Sequence, residues 1–213
     1  MKALIIAFFI FFNILNATTT VFGQNDFRKA VIAFQEKNFK DAFLYFQESA
    51  NKSNPYSQYY LGFLYQNGIG VTLNSQIAHF WFERSAKQGN MDAQFNLFWI
   101  YYSGKGIPQN QAKAVYWLKN AAAQGNRFAQ YNLFSLYYNG HVVFKDLDKA
   151  FYWVEKAALL GYEEAQYSLA LMYLRAEGVE RNMSKVRYWV QKAVNSGHKD
   201  SIELMAKFKL WKY

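Results

Sequence analysis

The three histidines, His79, His141 and His198, are the first residues to test for chemistry, because imidazole is the commonest side-chain ligand of metals in proteins. They stand at three different positions of the repeat described below, so they form no repeated ligand set. The sequence has no cysteine, which excludes thiolate metal sites, a thiol nucleophile, disulfides and a lipid anchor on an amino-terminal Cys. We therefore predict no metal site, and surface or loop positions for the histidines.

Paired acids and clustered glycines are the other candidates for chemistry. Glu163, Glu164 and Asp146 stand at predicted helix starts, where negative charge stabilises the helix dipole. The glycines of 68–70 and 104–106 lie between two predicted helices, whereas a nucleotide cradle needs a glycine-rich turn between a strand and a helix. Neither pattern predicts acid–base catalysis or nucleotide binding, so we predict a protein that is not an enzyme and needs no cofactor.

The amino terminus has the features of an export signal. Lys2 precedes an apolar run that ends near Leu15, too short for a comfortable membrane span of roughly 20 residues. Val21 and Gly23 have side chains of the modest size usual just before a cleavage site, which predicts a signal peptide over residues 1–23. The alternatives are a cut after Ala17 and retention as a membrane anchor. We expect the mature chain in the periplasm or outside the cell, with no later transmembrane span.

The charge of the chain is basic but evenly distributed. The formal net charge is +9, and no segment forms a basic arm. Nucleic-acid-binding domains usually concentrate Lys and Arg on one face. The even spread therefore argues against nucleic acid as a partner and favours weak attraction to acidic partners or anionic envelope surfaces.

A 36-residue repeat is the strongest signal in the sequence. Two residue types recur at this interval: Trp81, Trp117, Trp153 and Trp189, and Gly89, Gly125, Gly161 and Gly197. Self-similarity at such a period is typical of stacked helical repeats. The register defines four units, at 54–89, 90–125, 126–161 and 162–197.

Each unit contains two helical patterns. In the second unit Ala93, Leu97 and Tyr101 are spaced by four, and a second apolar stripe runs over 114–122. Potential N-caps precede the second helices, at Asn74, Asn110, Asp146 and Asn182. Glycines follow the first helices, at Gly68, Gly104 and Gly140. Each unit is thus predicted to be an antiparallel helix pair. Small residues on the second helix allow close packing, with the repeated tryptophan filling the space beside them.

The ends of the chain carry partial repeats. Residues 24–53 follow the two-helix pattern with Tyr45 in place of tryptophan. Residues 198–213 follow only the first helix, and their higher charge predicts a carboxy-terminal cap on the last apolar face.

Residues 93–125 contain the fullest version of the motif, AQFNL followed by GKGIP and KAVYWLKNAAAQG. This motif resembles the Sel1-like repeat, a relative of the tetratricopeptide repeat, to which residues 27–53 are more similar. The sequence departs from the family pattern at Phe98, Phe134, Val142, Ala176 and Val186, where small residues or glycine are usual. The resemblance implies an all-α fold, a right-handed α-solenoid of antiparallel helix pairs, which acts as an adaptor or scaffold, often in bacterial envelopes or in host interaction.

The resemblance also implies a concave groove lined by the first helices. One row of this groove would contain Tyr59, Phe95, Tyr131 and Tyr167. We predict that Trp99, Tyr102 and Tyr138 form the centre of a partner site, and that Asn96 and Asn132 hydrogen-bond an extended peptide backbone. The alternative for the first row is simple packing against the next hairpin.

The function expected from these features is non-catalytic binding of a peptide or protein segment in an aromatic groove. One alternative is a structural assembly component that uses its convex face or its ends. Another is a glycan-binding envelope protein, because aromatic faces also stack on sugars.

Overall fold

The computed structural model describes residues 24–208. The predicted signal peptide, residues 1–23, and the end of the predicted cap, residues 209–213, lie outside this part. Between 24 and 208 the chain forms eleven α-helices and no strand: α1 Gln24–Gln35, α2 Phe39–Asn51, α3 Pro55–Asn67, α4 Ser75–Lys87, α5 Met91–Ser103, α6 Gln111–Ala123, α7 Arg127–Asn139, α8 Leu147–Leu159, α9 Glu163–Arg175, α10 Met183–Asn195 and α11 Lys199–Lys207. None of these helices is both long and apolar enough to cross a membrane.

The helices pack in the order in which they follow one another along the chain. The closest pairs are α1 with α2, and then the first and second helix of each repeat: α3 with α4, α5 with α6, α7 with α8, and α9 with α10. Each second helix also packs on the first helix of the next repeat, and α10 packs on α11. The predicted all-α solenoid of antiparallel helix pairs is confirmed.

The helix ends follow the predicted punctuation. Asn74, Asn110, Asp146 and Asn182 each accept a hydrogen bond from a backbone N–H of the first turn of a second helix. Asn90 and Asn126 cap the first helices α5 and α7 in the same way, which the sequence analysis did not single out. The first helices end in a left-handed residue, a glycine in three repeats and Ala176 in the fourth.

The core combines small and large residues as expected. Ala121 and Ala122 are fully buried on α6, and Leu97 is fully buried on α5. The repeated tryptophan is buried in two repeats, at Trp117 and Trp189, and half-buried in the other two.

A buried glutamine joins each repeat to the one before it. The side-chain nitrogen of this glutamine donates to a backbone carbonyl near the end of the preceding second helix, in the pairs Gln58 to Ala50, Gln94 to Ala86, Gln130 to Ala122 and Gln166 to Ala158. These side chains are at most 5% exposed, so the bonds form out of contact with solvent. Buried amides are stable in such positions only when they are hydrogen-bonded.

Candidate functional site

Trp99 is the most exposed of the predicted partner-site residues. It lies on α5 and is 44% exposed. Its side chain helps to line a cavity of about 190 Å³ whose walls also contain Gln66, Ser75, Ser103 and Lys105. Ala78 and Ile100 complete the lining. An exposed indole beside such a cavity can hold one side chain of a partner while the polar lining residues bind polar groups.

Tyr102 lies against Trp99. The two rings are edge-on, with centroids 5.9 Å apart, and both contact Phe98, at 5.4 Å from Tyr102 and 4.8 Å from Trp99. Phe98 is buried and stands where the resembled repeat usually has glycine. The large side chain of Phe98 therefore packs against both Trp99 and Tyr102.

Tyr138 lies one repeat further along, on α7. Its hydroxyl donates to Glu177 Oε2 at 2.9 Å, and its ring contacts Phe134 at 5.4 Å. The Lys145 ammonium is 5.8 Å from the ring centroid. Partial burial raises the pKa of the Tyr138 hydroxyl, and the Glu177 carboxylate adds to this effect. The hydroxyl of Tyr138 is thus held by Glu177 and is not free.

Three members of the predicted first row, Phe95, Tyr131 and Tyr167, contact the next helix pair, and Tyr59 contacts the second helix of its own pair. Phe95 stacks on Phe128 at 6.3 Å, and the Tyr131 hydroxyl is 3.2 Å from Ser168 Oγ. Tyr167 stacks on His198 at 4.6 Å, and Tyr59 contacts Phe82 at 5.9 Å. All four members are half-buried, and burial raises the pKa of Tyr59. The row contributes to packing between repeats, and its binding role stays a prediction.

The two predicted asparagines are already hydrogen-bonded. Asn96 Nδ2 donates to the Asp92 carbonyl and Asn132 Nδ2 donates to the Phe128 carbonyl, both at 2.8 Å. The carbonyl four residues earlier in the helix takes one amide hydrogen of each side chain, and the predicted bonds to a peptide backbone stay a prediction.

The histidines are less exposed than expected. His79 Nε2 is 3.0 Å from the Tyr101 hydroxyl, and burial lowers the pKa of His79. His198 stacks on Tyr167, and only His141 is an exposed loop residue. Within residues 24–208 no three His, Asp or Glu side chains are grouped so that they could hold a metal ion.

A second row of aromatic side chains, on the second helices, was missed by the sequence analysis. Its members directly precede the repeated tryptophans and are about half exposed: Phe80, Tyr116, Tyr152 and Tyr188. Each ring is edge-on to the following tryptophan, with centroids 4.9–5.0 Å apart. The signal was the 36-residue register itself, in which an aromatic residue precedes every repeated tryptophan.

The sequence profile of the Sel1 repeat matches five segments of the chain, residues 33–54, 55–90, 92–126, 127–162 and 163–198. The chain belongs to the Sel1 repeat family. Proteins of this family generally act in protein–protein interactions and are generally non-catalytic scaffolds. A comparison with curated proteins gives no match.

Two solved structures share both sequence and fold with the chain. A Sel1 repeat protein from Oxalobacter formigenes is 32% identical with a TM-score of 0.78, over 80% of this chain and 50% of that protein. The protein c5321, a protective antigen present in uropathogenic Escherichia coli strains, is 31% identical with a TM-score of 0.79, over 84% of this chain and 39% of c5321. The chain therefore spans half or less of the length of either protein.

Proposed function

We propose that this Sel1 repeat protein is an exported, non-catalytic scaffold that binds a peptide or protein segment at the surface formed by Trp99 and Tyr102. The observation that carries the proposal is the exposed Trp99 ring beside the 190 Å³ cavity. Tryptophan and tyrosine are the residues most often found at the energetic centre of protein interfaces. Both rings rest on the buried Phe98, so little side-chain entropy is lost when a partner binds.

The polar residues that line the cavity favour a peptide over a purely apolar ligand. Gln66, Ser75 and Ser103 supply amide and hydroxyl groups, and Lys105 supplies a positive charge. These groups can pair with backbone amides and with an acidic side chain of an extended segment. The basic net charge of the chain adds a general attraction for such a partner.

Export of the protein is the second part of the proposal. It rests on the charged start and short apolar run of residues 1–23. Mass spectrometry of the protein recovered from the periplasm and medium is expected to find Gln24 as the first residue. A membrane-bound species that retains Met1 and Lys2 would contradict it.

The binding surface is tested in two steps. The mature chain is first used to capture a partner from envelope extract, and the affinity is then measured for wild type and for Trp99→Ala/Tyr102→Ala/Tyr138→Ala. We expect a loss of at least 2 kcal/mol, roughly thirtyfold, because hot-spot aromatic residues contribute about this much each. Tyr116→Ala, which removes an exposed ring from a second helix, is the matched control and is expected to bind normally.

The exposed row on the second helices favours the alternative, an assembly component or glycan-binding protein that uses the other side of the repeats. Lys156 and Lys192 lie 5.3 and 5.7 Å from the rings of Tyr152 and Tyr188. Unchanged affinity of the triple variant together with a loss in Tyr116→Ala would move the binding site to this row.

A further inference from the structure

In the third repeat the buried glutamine, Gln130, lacks one hydrogen bond that its counterparts in the other repeats make. In the first two repeats the side-chain oxygen of the buried glutamine accepts a hydrogen bond from a second glutamine at the end of the same repeat, Gln88 to Gln58 at 2.7 Å and Gln124 to Gln94 at 2.8 Å. In the fourth repeat Ser196 donates to Gln166 at 3.3 Å. In the third repeat the corresponding residue is Leu160, which has no polar side chain.

Gln130 is left with a buried acceptor. Its Oε1 has no hydrogen-bond partner among the described residues, although the side chain is only 4% exposed. Its nitrogen still donates to the Ala122 carbonyl at 3.0 Å, which fixes the orientation of the amide. A buried carbonyl oxygen without a donor costs free energy, so a group that supplies an N–H here is bound favourably.

The same glutamine lines a cleft of about 450 Å³ between the end of α6 and α8. The other walls are apolar and aromatic with one cation: Tyr152, Trp153, Lys156, Leu159 and Leu160, together with 122–125. Leu160 is 48% exposed and Leu159 is 68% exposed, and neither side chain has an N–H group that could donate to Gln130 Oε1 as Gln88 and Gln124 donate in the earlier repeats.

We propose that this cleft, between α6 and α8, is a second peptide-binding site, in which a partner inserts a carboxamide side chain that donates to Gln130 Oε1. The chain itself identifies the chemistry, because Gln88 and Gln124 make this bond within the first two repeats. The exposed leucines and Trp153 contact an apolar neighbour of the inserted residue, and Lys156 attracts an acidic one.

This site is separate from the proposed Trp99 surface. Apart from Gln130 on α7, its residues lie on the second helices α6 and α8 and at their ends, and the two sites have no lining residue in common. It continues into the exposed aromatic row through Tyr152. The inference does not depend on the Trp99 surface, and each site is tested by its own variants.

The probe is the capped tripeptide acetyl-Gln-Leu-Asp amide, titrated to several millimolar into the ¹⁵N-labelled mature protein. We expect chemical-shift changes at the Trp153 indole N–H and at Gln130. The Glu-Leu-Asp counterpart lacks the side-chain N–H donor and is expected to bind about fivefold or more weakly, the value of one hydrogen bond.

The decisive variant is Leu160→Gln, which restores the glutamine pair of the first two repeats and closes the site from within. We expect it to abolish the shift changes and to raise Tm by about 2–4 °C through the added hydrogen bond. Leu44→Gln is the matched control, since Leu44 is a 52% exposed leucine on the second helix α2, away from the cleft. This control is expected to bind the probe as wild type does.

Four results would overturn the proposal. They are equal binding of the two peptides, unchanged binding to Leu160→Gln, absence of shift changes at the highest peptide concentration, and shift changes with N-acetylglucosamine but not with peptide. A rise in Tm for Leu160→Gln without any peptide binding would mean that the cleft holds only water.

Discussion

Trp99 and Trp117 are the same residue type in opposite environments. Trp117 is 9% exposed between hairpins, whereas Trp99 is nearly half exposed. We expect Trp117→Ala to lower the free energy of unfolding by about 3–5 kcal/mol, as for large aromatic residues removed from cores. Trp99→Ala is expected to cost about 1 kcal/mol or less, because it loses mainly ring contacts at the surface. Urea unfolding of the two variants checks this, and equal losses would show that Trp99 is part of the core.

Ala176 occupies a backbone conformation that suits glycine. It ends α9 with φ of 57°, where the first three repeats have glycine. Because a side chain in the left-handed region is strained, we expect Ala176→Gly to stabilise the protein by about 0.5–1 kcal/mol, after the entropy of the added glycine is included.

The matched control for Ala176→Gly is Gly68→Ala at the same position of the first repeat. A Cβ at Gly68 meets Leu73 only at ordinary contact distance, 3.4 Å. The strain of the left-handed backbone is therefore the main effect of Gly68→Ala on stability. We expect a loss of similar size in thermal unfolding. A destabilised Ala176→Gly would mean that the Ala176 methyl group makes a packing contact that outweighs the strain.

At the scale of the helices, Asp92 connects two repeats. It lies in the first turn of α5, and its Oδ1 accepts from Asn126 Nδ2, the N-cap of α7, at 3.1 Å. Burial raises the pKa of the Asp92 carboxyl, and the Asn126 hydrogen bond opposes this only in part. The folded protein therefore keeps this proton at pH values at which the unfolded chain has lost it.

The sign of the pH dependence follows from this raised pKa. The contribution of Asp92 to stability is largest below the unfolded value of 3.8 and is lost as pH rises through the folded pKa. Asp92→Asn keeps an acceptor for Asn126 but cannot ionise, so we expect it to be more stable than wild type at pH 7. The difference should shrink toward pH 4 in urea unfolding.

Asp148→Asn is the control for Asp92→Asn. Asp148 is an exposed acid in the first turn of α8, so its loss removes the same charge from the same part of a helix. We expect a small destabilisation at pH 7, because only the favourable interaction with the helix dipole is lost. The same sign of effect in both variants would contradict the burial argument for Asp92.

The helices and their caps were predictable because their causes are local. Apolar periodicity, Asn caps and helix-ending glycines are decided within one turn, so Asn74 and Gly68 could be assigned from the sequence. The exposed row was not found because Tyr116 and Trp117 are neighbours only about 100° apart on a helix. Which of them is buried depends on how the next hairpin crosses, and the sequence does not encode that angle locally.

The candidate site was predictable only in part for the same reason. Trp99 and Tyr102 are three residues apart, so their meeting on one face follows from helix geometry. The unpaired oxygen of Gln130 depends on Leu160, which is thirty residues away at the end of the other helix of the same pair. A comparison of the repeats shows that leucine replaces glutamine at position 160. Only the buried hydrogen bonds of Gln58 and Gln94 show that this replacement removes a donor.

At the scale of the whole molecule, stability is distributed along one dimension. Each helix pair packs mainly on its neighbours, so opening at an end does not require the centre to open. The helix α11 is the last described element, held by buried Ser201 and Leu204 and by the stack of His198 on Tyr167. Repeats with partners on both sides, such as α5 with α6, are expected to open less often.

Hydrogen exchange of Leu204→Ala tests this gradient. Removing a buried leucine costs up to several kcal/mol, less where packing is one-sided, so we expect amides of α11 to exchange at least about tenfold faster, with α5 to α7 unchanged. Leu97→Ala, which removes a fully buried leucine from α5, is the comparison and is expected to accelerate exchange throughout α4 to α7. If Leu204→Ala accelerates exchange in α5 to α7 as much as in α11, the protein unfolds as one cooperative unit. In that case the interfaces between repeats, including the glutamine bridges at Gln94 and Gln130, are stronger than the repeats themselves.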